Sequence, residues 1–595
     1  MIQLMSRWGK SVREEQPLPE YPRPTLVRDS YLNLNGEWEY CINESEVVDK
    51  YDGKILVPYS PETKLSGVKK IVYPKNILHY RKIFVLPERF KKDKTILHFE
   101  AVDQECKVWL NGVELGEHRG GYLRFSFDVT DYLKEGENEI LLSVRDRTEE
   151  SSHARGKQKL VKKGKYGSLF YTPQSGIWKT VWMESVTKEY VESIKVTPIY
   201  DEDSIDLYIK TNGNSKANIM IMDRGKPVVE TIISVNRNCR IQLGNFISWT
   251  PEHPHLYDMK IVVNQDTVMS YFGMRKFSVE KDKTGTLRFF LNNQPFIFNG
   301  VLDQGYWPES LLTHPTEDAL NYDIKKLKDL GFNTIRKHIK IESERFYYAC
   351  DRLGMMVWQD MPNGGGEYNM AFVTYLTNKF DWFARGVQDN HYEAFKRNDE
   401  EGRRQYYQDL EGMVNQLYNY PSIAVWVPFN EGWGQFDAKK ATELIKKMDD
   451  TRFVNEACGW FDQKGGDIYS IHNYSEGLEI QPQKDRVVAL TEFGGYSYAI
   501  PGHLACEKEF GYREFKSKEE LTEAYIKLWK EEILPNLGKG LSAIIYTQTS
   551  DIEEEINGIF TYDREEVKFV EKDMREMNQI LYQTFEKVTA ADRRN

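Results

Sequence analysis

The stretch Val425-Trp426-Val427-Pro428-Phe429-Asn430-Glu431-Gly432-Trp433-Gly434 decides the fold. Residues 423–429 form an apolar run of β-branched and aromatic side chains, the pattern of a strand buried on both faces. The run stops at Asn430-Glu431, and two glycines in the next three positions open a sharp exit. A carboxylate therefore stands at the C-terminal end of a buried strand, beside an amide that both donates and accepts. Parallel-barrel enzymes place their chemistry at that end of their strands. Taken alone, such a glutamate is more often an ordinary solvated one.

A second stretch has the same grammar. Val487-Val488-Ala489-Leu490-Thr491-Glu492 is an apolar strand with a glutamate at its end, followed by Phe493-Gly494-Gly495. Two carboxylates at one barrel mouth point to glycoside hydrolysis. One is the acid/base and the other the nucleophile, about 5–5.5 Å apart if configuration is retained.

Outward from these two stretches, strand–helix alternation begins near Phe289 and predicts a parallel sheet. Eight strands are expected at 296–301, 333–337, 355–359, 423–429, 453–457, 467–472, 487–491 and 541–547. Helical spacing lies between them at 318–330 and at 342–353, the latter ending at Gly354. Upstream the reading is all-β. Short runs separated by turns such as Asn111-Gly112 and Gly120-Gly121 predict a β-sandwich or jelly roll. A second β unit of short runs follows it. The expected division is an N-terminal arm over 1–20, loosely held, a jelly-roll sandwich over 21–186, an immunoglobulin-like sandwich over 187–280 and a (β/α)8 barrel over 281–595.

The expected strands deliver Asp303, Arg336, His338, Asp360, Asn430, Glu431, His472, Tyr474, Glu492, Tyr546 and Gln548 to one mouth. Tyr474 and Arg336 can keep a nucleophile charged and aimed. Asn430 suits a sugar 2-hydroxyl, whose hydrogen bond strengthens in an oxocarbenium-like transition state. Asp303 and Asp360 suit sugar hydroxyls or a pairing with Arg336. His472 reads equally as an orienting group or a core histidine. The segment 361–411, with Gly364-Gly365-Gly366, Arg385, Arg403 and Arg404, is long for a barrel connection and is expected to wall the site. A basic loop over 155–165 is a weaker candidate for the same role.

The chain resembles glycoside hydrolase family 2, the β-galactosidases, β-glucuronidases and β-mannosidases, from about residue 25 to about residue 570. The resemblance is carried by Asn430-Glu431 and Glu492, by Leu34-Asn35-Gly36-Glu37-Trp38, by Val108-Trp109-Leu110-Asn111-Gly112, by Ser175-Gly176-Ile177-Trp178, and by Trp249-Thr250-Pro251-Glu252-His253-Pro254 with Phe272-Gly273-Met274-Arg275. It implies Glu431 as acid/base and Glu492 as nucleophile of a retaining exo-β-glycosidase. It implies no required cofactor, although some galactosidases of the family use Mg²⁺ and Na⁺. Members are often dimers or tetramers, which makes a homo-oligomer the expectation.

Two departures bear on the sugar. After Arg336 the chain reads Lys337-His338-Ile339, with Ile339 where the family's His would stand. Near the eighth strand, glucuronidases resemble each other in an Asn-x-Lys that grips the sugar carboxylate. Here Glu555-Ile556-Asn557 puts Asn557 in place of the Lys. The expectation is therefore a neutral sugar, with a β-galactosidase-like activity first and a β-glucuronidase, mannosidase or arabinosidase as alternatives. From another class, a carbohydrate-binding protein on the same scaffold stays open.

Composition sets the outer bounds. The 595 residues carry 40% hydrophobic and 29% charged side chains and a net charge of −11, which gives no general case for nucleic acid. The six cysteines are scattered, with neither a zinc pattern nor a disulfide framework. No dedicated metal-ligand cluster stands out. Residues 1–16 lack an apolar signal core, and no run approaches a membrane span of about 18 apolar residues. A cytoplasmic protein is the expectation.

Overall fold

The computed structural model describes residues 4–160, 169–375, 377, 384–475, 477–506 and 510–590. The 161–165 part of the basic loop and part of the 361–411 segment lie outside them.

The eight expected barrel strands all form. They are β1 (Phe298–Asp303), β2 (Thr334–Lys337), β3 (Met356–Asp360), β4 (Ile423–Val427), β5 (Phe453–Val454), β6 (Ile468–Asn473), β7 (Val487–Gly494) and β8 (Leu541–Thr547). Their order in the sheet is β5-β4-β3-β2-β1-β8-β7-β6, with parallel pairing throughout. The ring is completed across the β5–β6 seam, where Asp467 N donates to Val454 O and Val454 N donates to Asp467 Oδ2 at 2.7 Å. These strands are almost wholly buried, which explains their continuous apolar runs.

The helices are α1 (Glu317–Asp329) after β1, α2 (Glu344–Leu353) after β2, α3 (Glu400–Leu417) after β3, α4 (Ala438–Met448) after β4, α5 (Lys518–Leu528) after β7 and α6 (Glu571–Ala590) after β8. Several of their starts are capped. The Thr316 hydroxyl accepts from Ala319 N, and the Ser343 hydroxyl accepts from Arg345 N. Helix α2 ends on Gly354 in the left-handed region, where only glycine is at ease. Among the described residues, the connections β5–β6 and β6–β7 carry no helix, so the barrel is simpler there than the ideal eightfold repeat.

Upstream, a four-stranded and a six-stranded antiparallel sheet enclose a core that includes Trp38, Tyr80, Leu97, Val108 and Leu142. A three-stranded and a four-stranded sheet then form a second sandwich around Ile205, Ile219, Met259 and Ile261. Arg28 ties the two together, donating to Asp266 and Glu184. A three-stranded sheet over 277–296 then closes the barrel floor, packing Phe289 edge-on against Phe298 and Trp358 and at a tilt against Phe453.

The N-terminal arm is not loose. Trp8 packs edge-on against Trp307 at 5.9 Å, and the Ser6 backbone and hydroxyl both donate to buried Glu309. The amides of Asn33 and Asn35 donate to Leu18 O and Pro17 O. The polar composition of the arm hid these anchors.

Candidate active site

Arg336, at the end of β2, spends all five of its donors inside the mouth. Nε and Nη2 grip the two oxygens of Asp360 at 3.0 and 2.9 Å. Nη2 also donates to Asn430 Oδ1 at 2.8 Å, and Nη1 donates to Thr491 O and to Glu492 Oε1, both at 3.1 Å. A fully buried guanidinium thus ties the ends of β2, β3, β4 and β7 into one rigid unit.

Glu492 accepts a second bond on Oε2, from the Tyr474 hydroxyl at 2.6 Å. Tyr474 is held by stacking on Tyr512, ring centroids 4.0 Å apart. Burial pushes the Glu492 carboxyl up, but the charges of His472, Arg336 and Lys157 together hold it well below the usual range. At neutral pH it is an ionised carboxylate with its oxygens aimed by two donors.

Glu431 is partly open to solvent. Its backbone is in the left-handed region at φ 53°, fixed by Glu431 N donating to Cys458 O at 2.7 Å. A non-glycine residue held there is the kind of local strain that gathers at functional sites. His472 Nδ1 lies 2.7 Å from Glu431 Oε1 and 3.7 Å from Glu492 Oε2. Its Nε2 lies 3.2 Å from Cys458 Sγ. Burial pushes the imidazole down, but Glu492, Cys458 and Glu431 outweigh it and raise His472 to about 10.

His338 is buried on Asp360, Nδ1 to Oδ2 at 2.9 Å, and burial with the nearby Lys157 drives it well below the ordinary histidine range. It is a neutral ring in the same cluster. Ile339, beside it, holds φ 41° and donates its N–H to Asp360.

Three expected residues stand elsewhere. Asp303 does not pair with Arg336. It takes Lys337 Nζ at 2.5 Å in a buried cluster with Lys340 and Glu342. Tyr546 faces the helical layer, packed on Phe493, Tyr525, Trp529 and Phe569, because the alternation of β8 turns Thr547 inward instead. Gln548 is buried between Gln304, at 2.6 Å, and Asn557, at 2.7 Å. Asn557 in turn donates to Glu555, which the Tyr171 hydroxyl of the first sandwich also reaches.

The described residues of the 361–411 segment pack among their neighbours. Phe372 and Phe395 pack with Phe461, while Asn363 O accepts from Arg155 N and Gly156 N of the first sandwich. Arg403 lies over Tyr392, and Arg404 pairs with Glu401 at the surface. Sequence reasoning missed Cys458, Trp433 and Lys157. Cys458 and Lys157 lie outside a strand-end glutamate pattern, and Trp433, though inside the stretch that ends in Glu431, carried no signal of its own.

Glu431, His472 and Glu492 offer ligand atoms within 4.8 Å of one another, close enough to hold a cation. Among the described residues no helix is long and apolar enough to cross a membrane.

Paired carboxylates at the carboxyl-terminal mouth of a parallel barrel, behind two β-sandwiches, define the glycoside-hydrolase class of barrel protein. The chain belongs to the glycosyl hydrolases family 2. The family's sugar binding domain matches residues 45–164, its TIM barrel domain matches 283–568, and a third model, described only as glycosyl hydrolases family 2, matches 189–275. A β-galactosidase of Thermoanaerobacter pseudethanolicus is 24% identical over 502 residues, 78% of this chain and 61% of its own length. A putative β-glucuronidase of Formosa agariphila is 25% identical over 413 residues, 64% of this chain and 43% of its own. The chain thus spans less than two thirds of these relatives. Among solved structures, a β-D-glucuronidase of Dictyoglomus thermophilum superposes with a TM-score of 0.72 at 19% identity, covering 94% of this chain and 98% of its own.

Proposed function

We propose that the protein is a retaining exo-β-glycosidase, with Glu492 as nucleophile and Glu431 as acid/base. The observation that carries this reading is separation. An oxygen of each carboxylate lies within 4.8 Å of one on the other, an approach that fits the close pair of a retaining enzyme, with carboxyl groups about 5–5.5 Å apart, better than the wider pair of an inverting one, about 6.5–9.5 Å apart.

In the first step Glu492 attacks the anomeric carbon while the proton held between Glu431 and His472 passes to the glycosidic oxygen. Arg336 and Tyr474 keep Glu492 charged until it is spent. Its negative charge then disappears into the ester, which removes the largest support for the charge on His472. In the second step Glu431 takes a proton from water as the water attacks, and the sugar leaves with its configuration retained. Asn430, anchored on Arg336, presents its amide nitrogen to the sugar 2-hydroxyl.

For the sugar, the β8 corner favours a neutral glycone such as a β-galactoside. Asn557 offers no charge there, and Lys568, the nearby cation, is held by Asp551 and Ile556 O. A glycone bearing an anion is the second reading, favoured by Lys157. The test of the activity is a panel of aryl β-glycosides with wild type and Glu492→Ala. Turnover that vanishes in the variant supports the reading. Equal turnover in both sinks it.

A further inference from the structure

Cys458 holds Glu431 from both ends. It lies on the two-residue strand Ala457–Cys458, which pairs in parallel with Phe429–Asn430 and sets Cys458 across from Asn430. Its carbonyl accepts from Glu431 N at 2.7 Å and so fixes the backbone of that glutamate. Its buried sulfur lies 3.2 Å from His472 Nε2, and the other nitrogen of the same ring meets the Glu431 carboxylate, Nδ1 to Oε1 at 2.7 Å. Gly459 lets the three groups come together, since a Cβ there would stand 3.3 Å from both Glu431 Cγ and His472 Nδ1.

The direction of the sulfur contact follows from its neighbours. Ser470, two residues before His472 on β6, places its Oγ 3.4 Å from the sulfur and 2.5 Å from Thr491 Oγ1. Thr491 Oγ1 donates to Ile471 O, so the proton between the two hydroxyls comes from Ser470. Ser470 Oγ is then left to accept, from Gly459 N at 3.2 Å and from the thiol. That leaves the sulfur lone pairs for the Nε2–H of His472. The bond made by one imidazole nitrogen decides which role the other plays. With Nε2–H held on sulfur, Nδ1 is the nitrogen that exchanges a proton with Glu431.

We propose that Cys458 is a positioning residue for the acid/base, whose sulfur keeps one proton of His472 at Nε2 so that Nδ1 gives a proton to Glu431 and takes one back. This rests on the reading of Glu431 as acid/base. In the first step the proton shared between Nδ1 and Glu431 leaves on the glycosidic oxygen, and the ring stays neutral with its remaining proton on Nε2. In the second step Glu431 takes a proton from the attacking water and shares it with the Nδ1 lone pair, which restores the starting state. Over the cycle the enzyme neither gains nor loses a proton.

The test uses the full chain with Cys458→Ala and Cys458→Ser, both of which keep the backbone carbonyl that holds Glu431. It compares kcat/KM on methyl β-galactoside, whose leaving group needs a proton, and on 2,4-dinitrophenyl β-galactoside, whose leaving group does not. Cys458→Ala should lose roughly 10- to 100-fold on the methyl glycoside and less than about 3-fold on the dinitrophenyl one, with Cys458→Ser recovering part of the loss. A loss of equal size on both substrates, which is what damaged packing gives, or a loss on neither, overturns the proposal. Proton–nitrogen NMR of the histidine-labelled protein, with His472→Gln to assign the ring, reads the same contact without a substrate. The Nε2–H signal should be present in wild type and in Cys458→Ser, and should shift or exchange away in Cys458→Ala. An Nε2 without a proton in wild type, or a signal that ignores Cys458→Ala, overturns the proposal. If wild type hydrolyses no glycoside, the acid/base reading fails on its own, and the NMR result still decides whether Cys458 sets the ring.

Discussion

His472 Nδ1 lies 2.7 Å from Glu431 and 3.7 Å from Glu492, so one imidazole bridges the two carboxylates of the site. Burial opposes a charge on it, yet Glu492, Cys458 and Glu431 lift it from 6.5 to about 10. Its raised value gives stability that is fully present below the unfolded value of 6.5 and is lost as pH rises through about 10. The melting temperature of wild type should therefore fall more steeply between those limits than that of His472→Gln. The same substitution should move the alkaline limb of kcat/KM to lower pH, because the site loses the group that shares the acid's proton. Parallel melting curves and an unmoved limb would show that His472 is only a packed core residue.

The two glutamates are separable by rescue. In Glu492→Ala the nucleophile's place is empty, and added azide should attack from that side to give an α-glycosyl azide. In Glu431→Ala, azide should intercept the covalent intermediate and give the β-anomer. Both variants should lose at least about 10³-fold in kcat on substrates with poor leaving groups. Proton NMR of the products reads the anomer directly, and swapped anomers would reverse the two roles.

Arg336 makes the strongest structural prediction. Arg336→Met strips every partner from one side of Asp360 and leaves that carboxylate buried, a loss of about 3–5 kcal/mol. It also removes a donor from Glu492. Denaturant melts and activity should therefore fall together. Tyr474→Phe removes the other donor with little packing change, and kcat should drop about 10- to 100-fold while the melt stays near wild type. A Tyr474→Phe enzyme with wild-type kcat would mean that Arg336 alone aims the nucleophile.

The barrel was legible because strands buried on both faces read as continuous apolar runs, as at β4 and β7, and because a glutamate breaks each run at the same end. Glu431, Glu492, Asn430, Arg336, Asp360, His472 and Tyr474 were reached by that route, and the fold gathers them at one mouth. Tyr546 misled because a strand's last residues alternate between mouth and helix layer, and a shift of one position in reading the strand end reverses the face. Asp303 misled because its partner, Lys337, follows Arg336 on β2 with its side chain on the other face. Lys157 and Cys458 carried no local signal. Lys157 comes from another domain, its loop tied to Asn363, and Cys458 acts through its carbonyl on Glu431 and its sulfur on the ring of His472, which lies on the next full strand.

Asn430 divides its amide between protein and sugar. Its Oδ1 is taken by Arg336 at 2.8 Å, while Nδ2 is buried with no partner among the described residues. The orientation follows from Arg336, which can only donate and so fixes the oxygen toward itself and the nitrogen toward the mouth. A buried donor left open is costly unless the substrate fills it. The 2-hydroxyl is the partner that this position implies, with a bond that tightens as positive charge builds on the ring. Asn430→Ala should then cost about 10²-fold in kcat/KM on a 2-hydroxy glycoside, and much less on the matching 2-deoxy glycoside, which never made the bond. Asn430→Asp should not rescue, since a carboxylate has no N–H to offer. Kinetics of the two substrates on wild type and Asn430→Ala close a double-mutant cycle. A cycle that sums to zero would place the 2-hydroxyl elsewhere and leave Asn430 as a prop for Arg336.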